Sequence, residues 1–150
     1  MRAVIQRVSE ASVTIAGEIT AKISNGLVVL IGVEVEDTMH DVTWLTSKIA
    51  KMRIFSDANG LMNKSVIDVK GDVIVVSQFT LYASTKKGNR PGFTQSAKPE
   101  IAIPIYQKFI TCLEVELGKS VQTGKFGADM KVALINDGPV TIKIDTKNKE

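Results

Sequence analysis

Two short segments hold most of the chemistry this sequence could perform: Ser77-Gln78-Phe79-Thr80-Leu81 and Asn136-Asp137-Gly138-Pro139-Val140-Thr141. The first offers hydroxyls, amides and backbone groups as candidates for chemistry. Taken alone, the favoured reading of the first is a strand end with a hydroxyl stripe, and of the second a hairpin turn leading into a strand. Gly138-Pro139 is the less ordinary feature, because X-Pro is the dipeptide in which a cis bond is cheap. A cis bond would turn the backbone carbonyls in an unusual direction and offer rigid recognition free of side chains.

Absences narrow the choice further. The single histidine, His40, sits between Met39 and Asp41 at a polar helix start and reads as an exposed bystander rather than a catalytic base. A Ser-His-Asp or Cys-His mechanism is therefore not expected. Thr80 or Ser77 could act as a covalent nucleophile in an ordinary esterase, but no base is evident to activate either. One histidine and one distant cysteine cannot supply a typical zinc set, and the carboxylates form no ligand pattern, so no metal is expected. Neither a Gly-rich nucleotide fingerprint nor a phosphate loop is present, and no cofactor is expected.

These segments need a scaffold. Arg2 to Val8 and Ser12 to Ala16 alternate as half-buried strands, and Gly17-Glu18 turns the chain into Ile19 to Ile23. Leu27 to Val35 lacks alternation and is rich in Val and Ile, as a strand covered on both faces would be. Thr38 and Asp41 mark a helix start, and Val42, Leu45, Ile49 and Met52 share one face of a helix to about Lys51. A short strand at Arg53 to Phe55, a polar turn at Ser56 to Gly60 and a strong strand within Asp72 to Tyr82 follow. Thr85 to Pro99 is a polar loop too long to be mere connection. A second helix runs from near Pro99-Glu100 to a Gly118 cap, with Pro104 close to its start and Ile105, Phe109, Cys112, Leu113 and Leu117 buried. Lys131 to Ile135 and Val140 to Asp145 read as two strands around Asn136 to Pro139. The order predicts a single-domain α+β protein over residues 1–150, a mixed and largely antiparallel sheet packed by two main helices.

Bulk properties agree with one soluble domain. The chain has 150 residues, 44% hydrophobic and 23% charged, enough for one core. Met1 to Val8 lacks the apolar stretch of a secretory signal, and Leu27 to Val33 is too short to cross a bilayer. Cys112 reads as a core thiol in a reducing compartment, so the expected location is the cytoplasm, with no membrane partner. A formal charge of +3 mildly favours a polyanion. The basic loop residues Lys86, Lys87 and Arg90 are the better candidates for such contact, whereas the tail Lys147 to Glu150 reads as a frayed, solvated terminus.

Together the motifs are specific. The opening Met1 to Val8, Ser77 to Leu81, Gly88-Asn89-Arg90-Pro91-Gly92-Phe93, Phe126-Gly127-Ala128-Asp129-Met130 and Asn136 to Thr141 resemble, in order and spacing, the D-aminoacyl-tRNA deacylase family along the whole chain. The resemblance implies a homodimer that hydrolyses the ester of D-aminoacyl-tRNA, and of mischarged glycyl-tRNA, without a cofactor. Gly138-Pro139 is similar to the family's cross-subunit cis-proline element, which holds the substrate's α-amino group and excludes L side chains. Arg7 resembles its brace. Gln78, Phe79 and Thr80 are similar to the catalytic wall facing the ester, with Ser77 beside them. Phe126, Ala128 and Met130 are similar to residues lining the site of the tRNA's 3′-terminal adenosine, and Lys86, Lys87 and Arg90 would meet acceptor-stem phosphates. A non-catalytic RNA-binding module is the rival reading, weakened by the lack of an aromatic RNA-binding motif.

Overall fold

The structure, a computed structural model, describes residues 1–149; Glu150 lies outside them. Its frame is a six-stranded mixed sheet. The strands β1 (Arg2–Ile15), β2 (Glu18–Ile23) and β3 (Gly26–Gly32) form an antiparallel meander. Helix α1 (Met39–Lys51) and the small hairpin of β4 (Phe55–Ser56) and β5 (Met62–Lys64) lead to β6 (Asp72–Ser77), which runs parallel to β3. Helix α2 (Pro99–Leu117) then returns the chain to β7 (Gln122–Thr123), parallel to β6, before β8 (Lys131–Asp145) pairs antiparallel with β1. The two expected helices and the mixed sheet are therefore present.

Side-chain alternation on the middle strands feeds two cores. Leu27, Val29 and Ile31 of β3, with Val73 and Val75 of β6, meet Val42, Leu45 and Ile49 of α1 and Phe109 and Leu113 of α2. Val28, Ile74 and Val76 point to the other face, where Ala11, Val13, Ala21 and Ile23 cover them. This two-sided burial is why β3 reads as an unbroken apolar run. β1 serves both layers: Ala3 and Ile5 belong to the helix side, Val8 to Val13 to the other, as the strand sweeps around and brings β2 over β6 and β7. The sheet is thus nearly closed on itself.

Several boundaries differ from the sequence reading. Arg2 to Val8 and Ser12 to Ala16 are not two strands but one, bent at register shifts around Val8. Likewise Lys131 to Asp145 is one strand, not two around a turn: β1 pairs with it from Arg2↔Asp145 to Thr14↔Lys131, and irregular register absorbs Asp137 to Pro139. β3 stops at Gly32 rather than Val35, because Glu34 N–H donates to the Asp37 carboxylate (2.8 Å) and Asp37 N–H to Glu34 O (3.2 Å) in a tight turn. The strand within Asp72 to Tyr82 ends at Ser77, and Phe79–Tyr82 form a 3₁₀ turn. Arg53 lies outside β4. In α2 the buried face centres on Ala102, Tyr106, Phe109 and Leu113, leaving Ile105, Cys112 and Leu117 half-buried, so Cys112 is not a full core thiol. The helix passes through Pro104 without breaking and ends on Gly118, whose φ of 68° suits glycine.

The tail is not frayed where it is described. The Met1 ammonium is buried and donates to the Asp37 carboxylate (2.5 Å) and to Thr146 Oγ1 (2.6 Å). Thr146 Oγ1 donates onward to Asp41 (2.6 Å), and Lys147 Nζ donates to the other Asp41 oxygen (2.9 Å). Burial acts to raise the Asp41 carboxyl, but its bonds from Thr146, Lys147 and Thr38 outweigh that and hold it well below the usual carboxylate range. Lys149 covers the Trp44 ring at 4.6 Å. The part of the tail expectation that falls on Glu150 lies outside the described residues.

Candidate active site

A pocket of about 320 Å³ opens at the carboxyl ends of the parallel strands β3 and β6, the place where open α/β sheets leave a crevice. Ile31 and Val33 supply one side, Val76, Ser77, Gln78 and Phe79 the next. Ser96, Ala97, Ala102 and Tyr106 enter from the loop and first turns of α2, and Phe126 to Met130 with Val132 complete the wall. Gly32 allows this closeness: a Cβ there would lie 3.1 Å from Leu81 Cβ and 3.2 Å from Gln78 O, so the 3₁₀ turn can pack directly on the end of β3.

The turn itself is pinned. Gln78 N–H donates to Ile31 O (2.7 Å), and the turn's first internal bond runs from Leu81 N–H to Gln78 O (3.2 Å). The Gln78 N–H is therefore spent on the sheet, leaving Phe79 and Thr80 N–H outside the turn's own bonding. Gln78 Nε2 donates to Thr80 Oγ1 in a short contact. Arg2 braces the far end: it donates to Leu81 O (3.1 Å) and to Asp145 (2.9 Å) and covers the Tyr82 ring at 4.4 Å. Phe79, 56% exposed, rests edge-on against Phe93 of the polar loop at 5.1 Å.

Chemistry by proton transfer has few candidates here. Tyr106 is the one phenol in the wall; burial pushes it up to about 12, and its OH donates to Val75 O (3.0 Å), so it is a neutral structural donor. His40 is exposed and lines a different depression beside Trp44. Among the described residues no cluster of three metal-ligating side chains exists.

The second sequence segment lies apart from this pocket. Gly138-Pro139 is cis and exposed, in the middle of β8. Arg7, 9% exposed, reaches it from β1: Nε donates to Asp137 O (3.0 Å) and faces its carboxylate (3.3 Å), while Nη1 donates to Ile54 O (2.5 Å). A planar guanidinium serves both carbonyls at once through a fixed fork of donors that an ammonium lacks. The solvent-facing alternative for Arg7 is thereby excluded. Gly138 has φ +123°, and a Cβ would lie 2.9 Å from Arg7 Nη2, so only glycine fits.

Of the residues singled out from sequence, the structure gathers Ser77, Gln78, Phe79, Phe126, Ala128 and Met130 around one pocket. Thr80 stands just beyond the lining, and Arg7, Gly138 and Pro139 form a separate unit on the β1/β8 ribbon. Lys86, Lys87 and Arg90 are exposed on a loop pinched by paired bonds between Ser84 and Gly92 (2.8 and 2.9 Å). Sequence reasoning missed Ser96, Ala102 and Tyr106. The helical spacing of Ala102, Tyr106, Phe109 and Leu113 carried a signal for two of them; Ser96, inside a polar loop, had none.

With this geometry in place, comparison with known proteins is decisive at the level of family. Residues 4–145 match the family model for D-Tyr-tRNA(Tyr) deacylase. The chain belongs to this family of D-aminoacyl-tRNA deacylases, which are hydrolases of carboxylic esters. It is 64% identical to the D-aminoacyl-tRNA deacylase of Flavobacterium johnsoniae and 59% identical to that of Bacteroides fragilis, each over 150 residues and the full length of both chains. A solved structure described as c-Myc DNA unwinding element binding protein is 40% identical, with a TM-score of 0.91 over 97% of this chain and 98% of that one. Another, 16% identical, has a TM-score of 0.81 over 95% of this chain and 98% of that one, and shares the fold.

Proposed function

We propose that this chain hydrolyses the ester between a D-amino acid, or glycine, and the 3′-terminal adenosine of tRNA, and that it works as a homodimer in the cytoplasm. The observation that carries the reading is the joining of Ser77 to Phe79 and Phe126 to Met130 in one mostly apolar pocket, inside a member of this family. Phe126, Ala128 and Met130 hold the adenosine. The N–H groups of Phe79 and Thr80 meet the ester carbonyl, and Gln78 fixes the Thr80 side chain.

Little acid-base chemistry is needed. An aminoacyl ester is labile, and the neighbouring ribose hydroxyl can orient water; positioning alone contributes up to about 7 to 11 kcal/mol in favourable cases. That accounts for a site built without a histidine. Chirality is read by the Gly138-Pro139 element of the second protomer, whose carbonyls take the α-amino group and leave no room for an L side chain. Its exposed position on β8, and its absence from the lining of its own chain's pocket, support that arrangement. Glycine, having no side chain, passes the same filter. Lys86, Lys87 and Arg90 contact the acceptor-stem phosphates.

The test is release of amino acid from D-tyrosyl-tRNA, L-tyrosyl-tRNA and glycyl-tRNA with a chelator present. Loss of the D and glycyl esters with the L ester intact is the expected result. Folded protein that binds tRNA but hydrolyses none of them would leave a non-catalytic RNA-binding module in its place.

A further inference from the structure

Between β7 and β8 the chain makes a short excursion, and its residues Phe126 to Met130 form one wall of the pocket. The two ends of that excursion touch. A Cβ added to Gly124 would have Met130 Sδ at 2.3 Å, Cε at 3.6 Å and Cγ at 3.9 Å, so the thioether lies directly on the bare α-carbon. No other residue supplies one of these three nearest atoms. Gly124 is not among the glycines of positive φ, so the reason for a glycine here is the space it leaves and not its backbone freedom.

Both partners in this contact are anchored. Gly124 N–H donates to Val75 O (3.2 Å), which extends the pairing of β7 with β6. Met130 is half-buried against the core layer that holds Ile74 and Val76. Between them, Ala128 N–H donates to Lys125 O (3.1 Å), and the Phe126 ring lies 5.9 Å from that of Tyr106. Clasping a loop at its base removes conformations before any ligand arrives, so less ordering is left for binding to supply.

We infer that Gly124 is a positioning residue: by seating the Met130 thioether it presets the wall from Phe126 to Met130 for the terminal nucleoside, an inference that rests on the adenosine reading above. Gly124 is itself outside the pocket lining, so it acts through Met130. A methyl group at this position meets only the end of a flexible side chain, so the methionine is displaced while the fold stays. The cost then falls on binding and not on bond cleavage.

The experiment compares wild type, Gly124→Ala, Met130→Ala and the double variant in kinetics on D-tyrosyl-tRNA, binding of adenosine, and Tm. The inference expects Gly124→Ala to raise KM and the adenosine dissociation constant about three- to tenfold, with kcat within about twofold. Tm should stay within about 3 °C of wild type. In the Met130→Ala background the same change should add nothing, because the methyl then has no thioether to displace. Unchanged KM and adenosine binding in Gly124→Ala would overturn the inference. So would a loss of the same size added on top of Met130→Ala, which would give Gly124 a route of its own. Failure of Gly124→Ala to fold would overturn it too, since the methyl would then be meeting more than a side-chain end. A wild type inert toward D-tyrosyl-tRNA that still binds adenosine, with binding weakened in Gly124→Ala, would remove the deacylase reading and keep the positioning role. A wild type that binds no adenosine would overturn the inference whatever its activity.

Discussion

At the scale of single residues, the two segments that looked chemical in the sequence behave differently. Thr80 accepts a bond from Gln78, is exposed and lies beyond the pocket lining. Thr80→Ala is therefore expected to keep D-tyrosyl-tRNA hydrolysis within about tenfold of wild type in kcat/KM, as loss of one positioning bond would give. Gly138→Ala should do far worse. Its Cβ meets Arg7 Nη2 and Val140 Cγ2 at 2.9 and 3.0 Å with φ in the glycine region, so kcat/KM should drop by about a hundredfold or more. Equal losses in the two variants would contradict a mechanism centred on the backbone. Arg7→Lys belongs with Gly138→Ala, because an ammonium lacks the fixed planar fork that reaches Asp137 O from Nε and Ile54 O from Nη1.

At the scale of elements, the join between the chain's two ends is where pH should act. Asp41 caps α1 through Thr38 N–H (2.9 Å) and ties that helix to Thr146 and Lys147 beyond β8. Its folded carboxyl lies below the ordinary value of 3.8, so its contribution is complete above that value and is lost as pH falls toward the folded one. The urea midpoint should therefore decline from about pH 5 to pH 3, and Asp41→Asn should start lower and decline less steeply. A variant with the wild-type slope would show that Asp41 does not set it. This join also marks how far local pattern reaches. The apolar run of β3 and the face of α1 were legible because period and burial are local properties. A lysine-rich tail reads as solvated when its partners, Asp37 and Asp41, stand a whole chain away. Asn136 to Pro139 likewise has turn-forming residues, and only the long pairing with β1 makes the segment part of a strand. The motifs of the site were legible; their grouping into pocket and ribbon depends on the crossovers through α1 and α2.

At the scale of the whole molecule, the proposed cross-subunit site can be tested by complementation. Gly138→Ala and Phe79→Ala should each be inactive alone, yet after mixing and subunit exchange roughly a quarter of wild-type activity should return, since half the dimers then hold one intact site. Sedimentation should give a mass about twice 16.3 kDa. Replacing Lys86, Lys87 and Arg90 together by alanine should weaken tRNA binding and flatten its log–log dependence on salt by about two units. β8 has a further consequence of its own. It pairs with β1 along one edge only, and a 15-residue border of that kind invites the recruitment of foreign strands. Pro139 interrupts that border where no N–H can be offered, and the exposed charges of Lys131, Asp137 and Lys143 are spread along it. The segment proposed to read chirality would by the same geometry disfavour strand-on-strand self-association, so a variant that straightens it is expected to lose solubility on prolonged concentration even where its fold survives.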